Sequence, residues 1–366
     1  MAHARFPILN AELRIRETTN SDIDRVVSFH NQNYKDERTP LQWLWEYRSH
    51  HPDLVVFTVA EDDERIAGTQ GMIPIHLGFR GRAYLSGKSE SSLLGPQYRG
   101  GETFQKLYAF AMSLCRAKGM RCVWGLTTAT KVWRDKLFFS VHDDAIYTSV
   151  SVLRLSLPEE HNKTDKMSVY VLTTLAYLYS SVRRRLFLHR ISAKGRRFSI
   201  EQNLRSYRDL DLLYERLATE HPDLIYIRQD EDYFTWRISN NPNVRYMSCF
   251  LYEQDLLQSY CYIGTGSRST AYLTDFTFVD DDAGAYLLKE VLERLHNRKV
   301  ARVSFLGNVK NPLISTVFNL LKRCGFIKGR SPLAVVMRSI TCEDEEVIHD
   351  VKNWYLNGLW TEGYTW

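Results

Sequence analysis

At 366 residues the chain exceeds what one hydrophobic core usually fills, since single cores stop growing at roughly 250 residues, so two domains are expected. A hydrophobic fraction of 44% and a charged fraction of 25% exclude a disordered or fibrous chain, and 48 Lys+Arg against 43 Asp+Glu, net +5, are too evenly mixed to indicate a nucleic-acid binder. The six cysteines include no C-x-x-C pair, which points to buried thiols in a reducing compartment and to neither a disulfide framework nor a metal site.

The first residues lack the apolar core of a signal peptide, and no run approaches the roughly 18 apolar residues of a membrane span, so a cytoplasmic location is expected. LQWLWEYRSHHPDLVVFTVAEDDERIAG, from Leu41, reads as an aromatic-rich helix, a polar turn at Pro52, a strand, an acidic turn and a second strand. HLGFRGRAYLSG, from His76, continues as a second hairpin. A strand at 84–94 then enters LLGPQYRGGETFQKLYAF, where Pro and a Gly pair precede an amphipathic helix near 102–118. A strand near 121–126 and a helix near 129–138 follow. Hairpins followed by strand–helix–strand predict a mixed, mostly antiparallel sheet flanked by helices, an α/β fold.

MSVYVLTTLAYLYSSVRRRLFLHRISAKGRRFSI, from Met167, is an apolar helical stretch followed by Arg183, Arg184, Arg185, Arg190, Lys194, Arg196 and Arg197. It reads as a linking helix with a solvated basic end, and residues 183–197 also suit peripheral contact with an anionic membrane. Beyond it, DEDYFTWRISNNPNVRYMSCFLYEQDLLQS repeats the earlier order of aromatic helix, Pro turn, strand, acidic turn and strand. Tyr47 and Trp236, Pro52 and Pro242, and Phe139 and Phe326 stand at nearly equal separations, which predicts two copies of one fold. The expected divisions are 1–158, a basic helical linker at 159–205, a second copy at 206–340 and a tail at 341–366.

The run of acidic hairpin, strand, P-x-Y-R-G, F-x-K-L helix, strand and K-L-x-F helix end resembles the GNAT superfamily of acyl-CoA-dependent N-acyltransferases. Pro96, Tyr98, Arg99, Gly100 and Phe104 match its pyrophosphate-loop pattern, with Glu102 where a glycine is usual. The Y-x-x-W-R-x-x-x-x-P segment of the second copy is similar to tandem members found with polysaccharide-assembly genes. The resemblance implies that the first copy binds acetyl-CoA or another acyl-CoA, with no metal, through Arg99, Gly100, Gly101, Thr103 and Phe104. The physical ground is that a helix N-terminus with little side-chain cover offers free N–H groups to a diphosphate. It further implies that strand 84–94 parts from strand 121–126, with backbone groups of Leu93 and Leu94 receiving the thioester arm.

Amine acylation needs a base for the acceptor's proton. Glu90, flanked by Ser89 and Ser91, is the expected base, and Glu90 and Ser91 are the candidate catalytic residues. Arg134 stands where the family often carries a thiolate-protonating Tyr, and Thr127 and Thr128 stand where it often carries Asn. In the second copy Asp280, Asp281 and Asp282 replace the loop and read as a helix cap that repels phosphate, while Asp275 is placed to reach an acceptor cleft shaped by that copy. The 264–267 G-T-G-S turn reads as a hairpin. The implied activity is acetyl transfer to an amine, such as an amino sugar or a surface-polysaccharide precursor. Aminoacyl or fatty acyl transfer, or a non-catalytic scaffold, are the alternatives.

Overall fold

The computed structural model describes residues 13–34, 37–63, 65–155, 166–191, 196–265 and 269–361. The expectations for Lys194, Gly266 and Ser267 lie outside them. In chain order the first half holds β1 (Arg14–Glu17), α1 (Ile23–Asn33), α2 (Pro40–Arg48), β2 (Val56–Asp62), β3 (Arg65–Phe79), β4 (Arg82–Leu94), α3 (Thr103–Ala117), β5 (Cys122–Thr127), α4 (Thr130–Asp135), β6 (Ser140–His142) and β7 (Ile146–Val152). After α5 (Lys166–Arg190) come β8 (Phe198–Glu201), α6 (Arg208–Glu220), β9 (Tyr226–Ile227), α7 (Glu231–Phe234), β10 (Arg245–Glu253), β11 (Leu256–Thr265) and β12 (Thr270–Phe278). The chain closes with α8 (Asp281–Asn297), β13 (Arg302–Asn308), α9 (Pro312–Arg323), β14 (Ile327–Arg330), β15 (Ala334–Ser339) and α10 (Glu345–His349).

Two compact units result, and they do not follow the linear order of the chain. The first comprises 1–78, 82–142 and 334–350, and the second 79–81, 143–333 and 351–366. The first sheet runs β1-β2-β3-β4-β5-β15-β6 and the second β14-β7-β13-β12-β11-β10-β8. Each copy has therefore given one strand to the other's sheet: β15 pairs with β5 from Ala334–Thr127 to Ser339–Cys122, and β7 pairs with β13 from Ile146–Asn308 to Val152–Arg302. Residues 143–155 thus belong with the second unit, although a cut at 158 would leave them with the first. Both sheets are mixed: β4–β5 and β12–β13 are parallel, while β1–β2, β2–β3, β10–β11 and β11–β12 are antiparallel.

Packing explains why the exchange holds. Val336 of β15 and Ile340 beyond it sit in the first unit's core with Val56, Met72, Tyr108, Val123, Trp133 and Phe139, and burying each such side chain contributes about 1.5–3 kcal/mol. The segment expected as a tail is also core: Trp354 and Trp360 are fully buried, with ring centroids 5.5 Å apart. The β11–β12 strands pair from Thr265–Ala271 to Ser259–Phe278, a hairpin as the turn residues indicate.

Candidate functional site

In the first unit β4 and β5 run side by side only briefly. Ser86, Gly87 and Lys88 pair with Cys122, Val123 and Trp124, and there the register ends while β4 continues to Leu94 and β5 to Thr127. Past that point the two strands no longer pair, although a Cβ on Gly125 would still lie 3.3 Å from the Ser89 carbonyl, so any opening in the sheet begins beyond Ser89.

Immediately beyond it the strand is kinked. Ser91 takes φ of 50°, a left-handed conformation that costs a non-glycine residue about 1–3 kcal/mol unless neighbours enforce it. Three bonds do so: its hydroxyl accepts from Arg38 Nη1 at 3.1 Å and shares a 2.8 Å hydrogen bond with Tyr47, and its carbonyl accepts from Thr69 Oγ1 at 2.8 Å. Arg38 is itself buried and ion-paired with Glu46 at 3.0 Å. Helix α2 supplies Glu46 and Tyr47, and its start is set by the Thr39–Gln42 capping box and Pro40 at the first turn.

Glu90 lies on the face of β4 that it shares with Lys88, because residues two apart on a strand point the same way, and the two form a buried ion pair. The opposite side carries a polar relay: Gln70 Nε2 donates to Ser89 Oγ at 3.0 Å, Ser92 Oγ to Gln70 Oε1 at 2.6 Å, and Tyr108 to Ser89 at 3.3 Å. Burial pushes the Tyr108 hydroxyl well above its usual range.

Backbone alternation separates Leu93 from Leu94. Gly95 N donates to Ala67 O at 2.9 Å on β3, and a Cβ at Gly68 of β3 would lie 3.0 Å from the Leu93 carbonyl, so Leu93 and Gly95 face β3. The Leu94 peptide groups therefore face the other way, and its carbonyl accepts from Arg99 Nε at 3.0 Å. Gly100 has φ of 92°, and no atom lies within 4 Å of a Cβ built on Gly100 or Gly101, so the turn exposes its backbone. Helix α3 then begins without a side-chain cap: Glu102, at the N-cap, reaches Lys106 at 3.5 Å along the helix and is 77% exposed. Its first-turn N–H groups are left for solvent or an anion. Thr103 is half-buried, and the Phe104 ring packs into the core against Tyr108, so only its backbone belongs to the turn. Trp133 is buried and Arg134 exposed.

The second unit has the same plan, closed. β12 and β13 pair from Thr270–Arg302 to Leu273–Phe305 and then part. Chain from the C-terminal end fills the gap: Asn357 bridges Gly307, Asn308 N donates to Leu356 O at 3.0 Å, and Tyr355 shares a 2.8 Å bond with Thr277. Asp280 caps α8 by accepting from Ala283 N at 2.8 Å, and it is paired with Arg196 at 2.9 Å. Asp281 is paired with Arg323 at 2.7 Å. Asp275 does not reach an acceptor cleft. It is fully buried and accepts from Tyr260 at 2.7 Å, Thr277 at 2.9 Å and Gln229 at 3.1 Å. Desolvation pushes its carboxyl up to about 6. Among the described residues no group of three or more His, Cys, Asp or Glu is placed to hold a metal ion.

A sheet that opens after one short parallel register, beside a bare helix end, is the arrangement expected of an acyl-CoA-binding fold. Residues 14–136 match an acetyltransferase (GNAT) domain. This GNAT-matching stretch contains the opening, the kinked strand and the glycine turn. No curated protein matches the chain in sequence. Solved structures share its fold across both units. One is a conserved protein of Enterococcus faecalis V583 described as a probable N-acyltransferase, with TM-score 0.59 at 8% identity, covering 90% of this chain and 73% of that one. Another is Saccharomyces cerevisiae N-myristoyltransferase with bound myristoyl-CoA, with TM-score 0.51 at 11% identity, covering 92% and 81%. A tandem GNAT protein from the clavulanic acid biosynthesis pathway aligns over 91% of this chain and 100% of its own, with TM-score 0.51 at 11% identity. The chain is thus similar to tandem GNAT structures, with two mixed, mostly antiparallel sheets flanked by helices.

Glu90, Ser91 and the 99–104 turn were the expected site residues; Lys88, Arg38, Glu46 and Tyr47, which the structure brings beside Glu90 and Ser91, were not among them. The parity of Lys88 and Glu90 in SGKSESSLL was a usable signal, whereas the partners of Ser91 lie on a distant helix and the loop before it.

Proposed function

We propose that the chain is an acyl-CoA-dependent N-acyltransferase whose first unit carries the reaction. The observation that supports this most is the end of the β4–β5 register at Lys88–Trp124 beside the uncapped start of α3. The residues fit the coenzyme: Gly100 and Gly101 leave room for a diphosphate against α3, Arg99 adds a positive charge, and the Leu94 backbone faces away from β3, whereas Leu93 is turned toward β3 and does not take the thioester arm expected of it. The thioester supplies an activated acyl carbon and a good leaving group. The Leu94 N–H, facing away from β3, is the donor for charge that develops on the acyl oxygen. Glu90 takes the acceptor amine's proton, directly or through water, with Lys88 holding the carboxylate in place. The Arg38–Ser91–Tyr47 contacts fix the kink that sets both groups.

The acyl group in this reading is acetyl and the acceptor an amine of an amino sugar or surface-polysaccharide precursor, at the cytoplasmic face of a membrane contacted through 183–197, within which Arg184 and Arg196 are engaged by the chain itself. A longer acyl group is the second reading, favoured by the fold's likeness to an enzyme holding myristoyl-CoA. Thermal-shift titration with acetyl-CoA and myristoyl-CoA tests both, because a ligand of the native state raises Tm by mass action. Arg99→Glu should abolish the shift and Glu102→Gly should keep or enlarge it. No shift with either thioester at millimolar concentration would favour the scaffold alternative.

A further inference from the structure

Helix α5 is seated through Ser180 and Arg184, with Ala176, Tyr177 and Phe187 half-buried beside them. Ser180 is fully buried and donates to Gly325 O at 2.8 Å, and a Cβ on Gly325 would come within 2.8 Å of the Ser180 carbonyl, so the helix is seated closely there. One turn on, Arg184 Nη1 donates to Val152 O at 3.4 Å. Residues four apart share a helix face, so this side is the docked one. On the opposite side Leu172, Leu175, Leu178, Tyr179, Val182 and Leu186 are 42–66% exposed. Soluble proteins seldom leave a contiguous apolar surface of this kind uncovered unless it meets a partner or a membrane.

Charge selects between those occupants. The helix contains no Asp or Glu, and Arg183, Arg185 and Arg190 are exposed at its C-terminal end, where Arg183 and Arg190 line a cavity shared with Asp281, Asp282 and Arg323 while Arg185 stands outside it. Leu172, Leu175, Tyr179, Val182 and Leu186 follow the three–four spacing of a coiled coil, but a second copy of the helix would bring no carboxylate to those arginines. Leu178 also widens the stripe beyond a two-position seam. An anionic lipid surface satisfies both features, taking the stripe into its acyl boundary and the arginines at its headgroups. At about 37 Å long the helix lies along such a surface, and among the described residues no helix is long and apolar enough to cross a membrane.

We propose that α5 is a membrane-surface helix that inserts Leu172, Leu175, Leu178, Tyr179, Val182 and Leu186 into an anionic leaflet. This rests on the peripheral-contact reading above and adds the inserted element to it. The test is sedimentation of the full chain with vesicles of phosphatidylcholine alone and of equal parts phosphatidylcholine and phosphatidylglycerol. The protein should sediment with the anionic vesicles only. Leu175→Ser with Val182→Ser, both surface changes, should weaken partitioning at least tenfold, and Tyr179→Trp should show a blue-shifted emission on binding. If the serine variant binds like the parent while Arg183→Glu with Arg185→Glu does not bind, the contact is electrostatic only, and the insertion proposal fails while peripheral contact stands. Failure of the parent to bind anionic vesicles overturns both readings. A parent that is dimeric by sedimentation equilibrium and ignores vesicles, with a monomeric serine variant, assigns the stripe to a second copy and overturns the proposal.

Discussion

Glu90 and Asp275 occupy the same place in the two sheets, each two residues beyond the last parallel pair, which is Lys88 with Trp124 in one and Leu273 with Phe305 in the other. Their surroundings differ: Glu90 has a lysine partner beside an opening, and Asp275 is sealed among hydroxyl and amide donors. Glu90→Gln should lower turnover by about 10²–10⁴-fold, the usual worth of a general base. The deficit should narrow as pH rises toward the acceptor amine's pKa, because more amine then arrives unprotonated. Asp275→Asn should leave turnover within a few fold. Full pH–rate profiles of both variants check this, and an unchanged profile for Glu90→Gln removes Glu90 as the base.

Asp275 also makes the second unit's stability depend on pH. Its carboxyl is raised from 3.8 to about 6 by burial, so between those values the folded chain retains a proton that the unfolded chain has released. Stability should therefore fall as pH rises from about 4 to 6, by about 3 kcal/mol in all. Urea unfolding at several pH values should show this slope in the parent and lose it in Asp275→Asn.

The kink at Ser91 depends on Arg38, whose charge is buried against Glu46. Glu46→Gln removes the Glu46 carboxylate from that buried pair, and breaking a buried pair from one side costs about 3–5 kcal/mol. The double change Arg38→Met with Glu46→Leu should recover most of the stability but not the turnover, because Ser91 then loses a donor. Chemical denaturation and kcat together separate the two effects.

Asp280 caps α8 where the first unit leaves α3 uncapped. Asp280→Ala should cost about 0.5–2 kcal/mol of stability. It should not create a second acyl-CoA site, since Tyr355 and Asn357 still fill that gap. Calorimetric titration with acetyl-CoA should give the same stoichiometry as the parent.

The order of elements, the hairpins and the glycine turn were legible because each rests on short-range pattern: the apolar runs of β2 and β3, the acidic turns, and Gly100–Gly101 ahead of α3, while the repeat showed in the equal separations of matching residues. What was not legible depends on long-range pairing. β7 and β15 occupy matching positions after their copies' hairpins, and nothing in either strand's own alternation tells which sheet will accept it. Glu46 meets Arg38, and Arg38 meets Ser91, only after α2 has packed beside β4. The aromatic density of Trp354, Tyr355 and Trp360 was a missed sign that the last segment is core.

The traded strands constrain how this protein can be made. On the ribosome the N-terminal unit must wait for β15, some two hundred residues after β5, and meanwhile β5 is an unpaired edge open to aggregation. A fragment ending at the linker would carry that bare edge permanently, and its β7 would have no sheet to join. Neither half is therefore a self-sufficient product, and gene fission at the repeat boundary should yield two chains that are soluble only when expressed together.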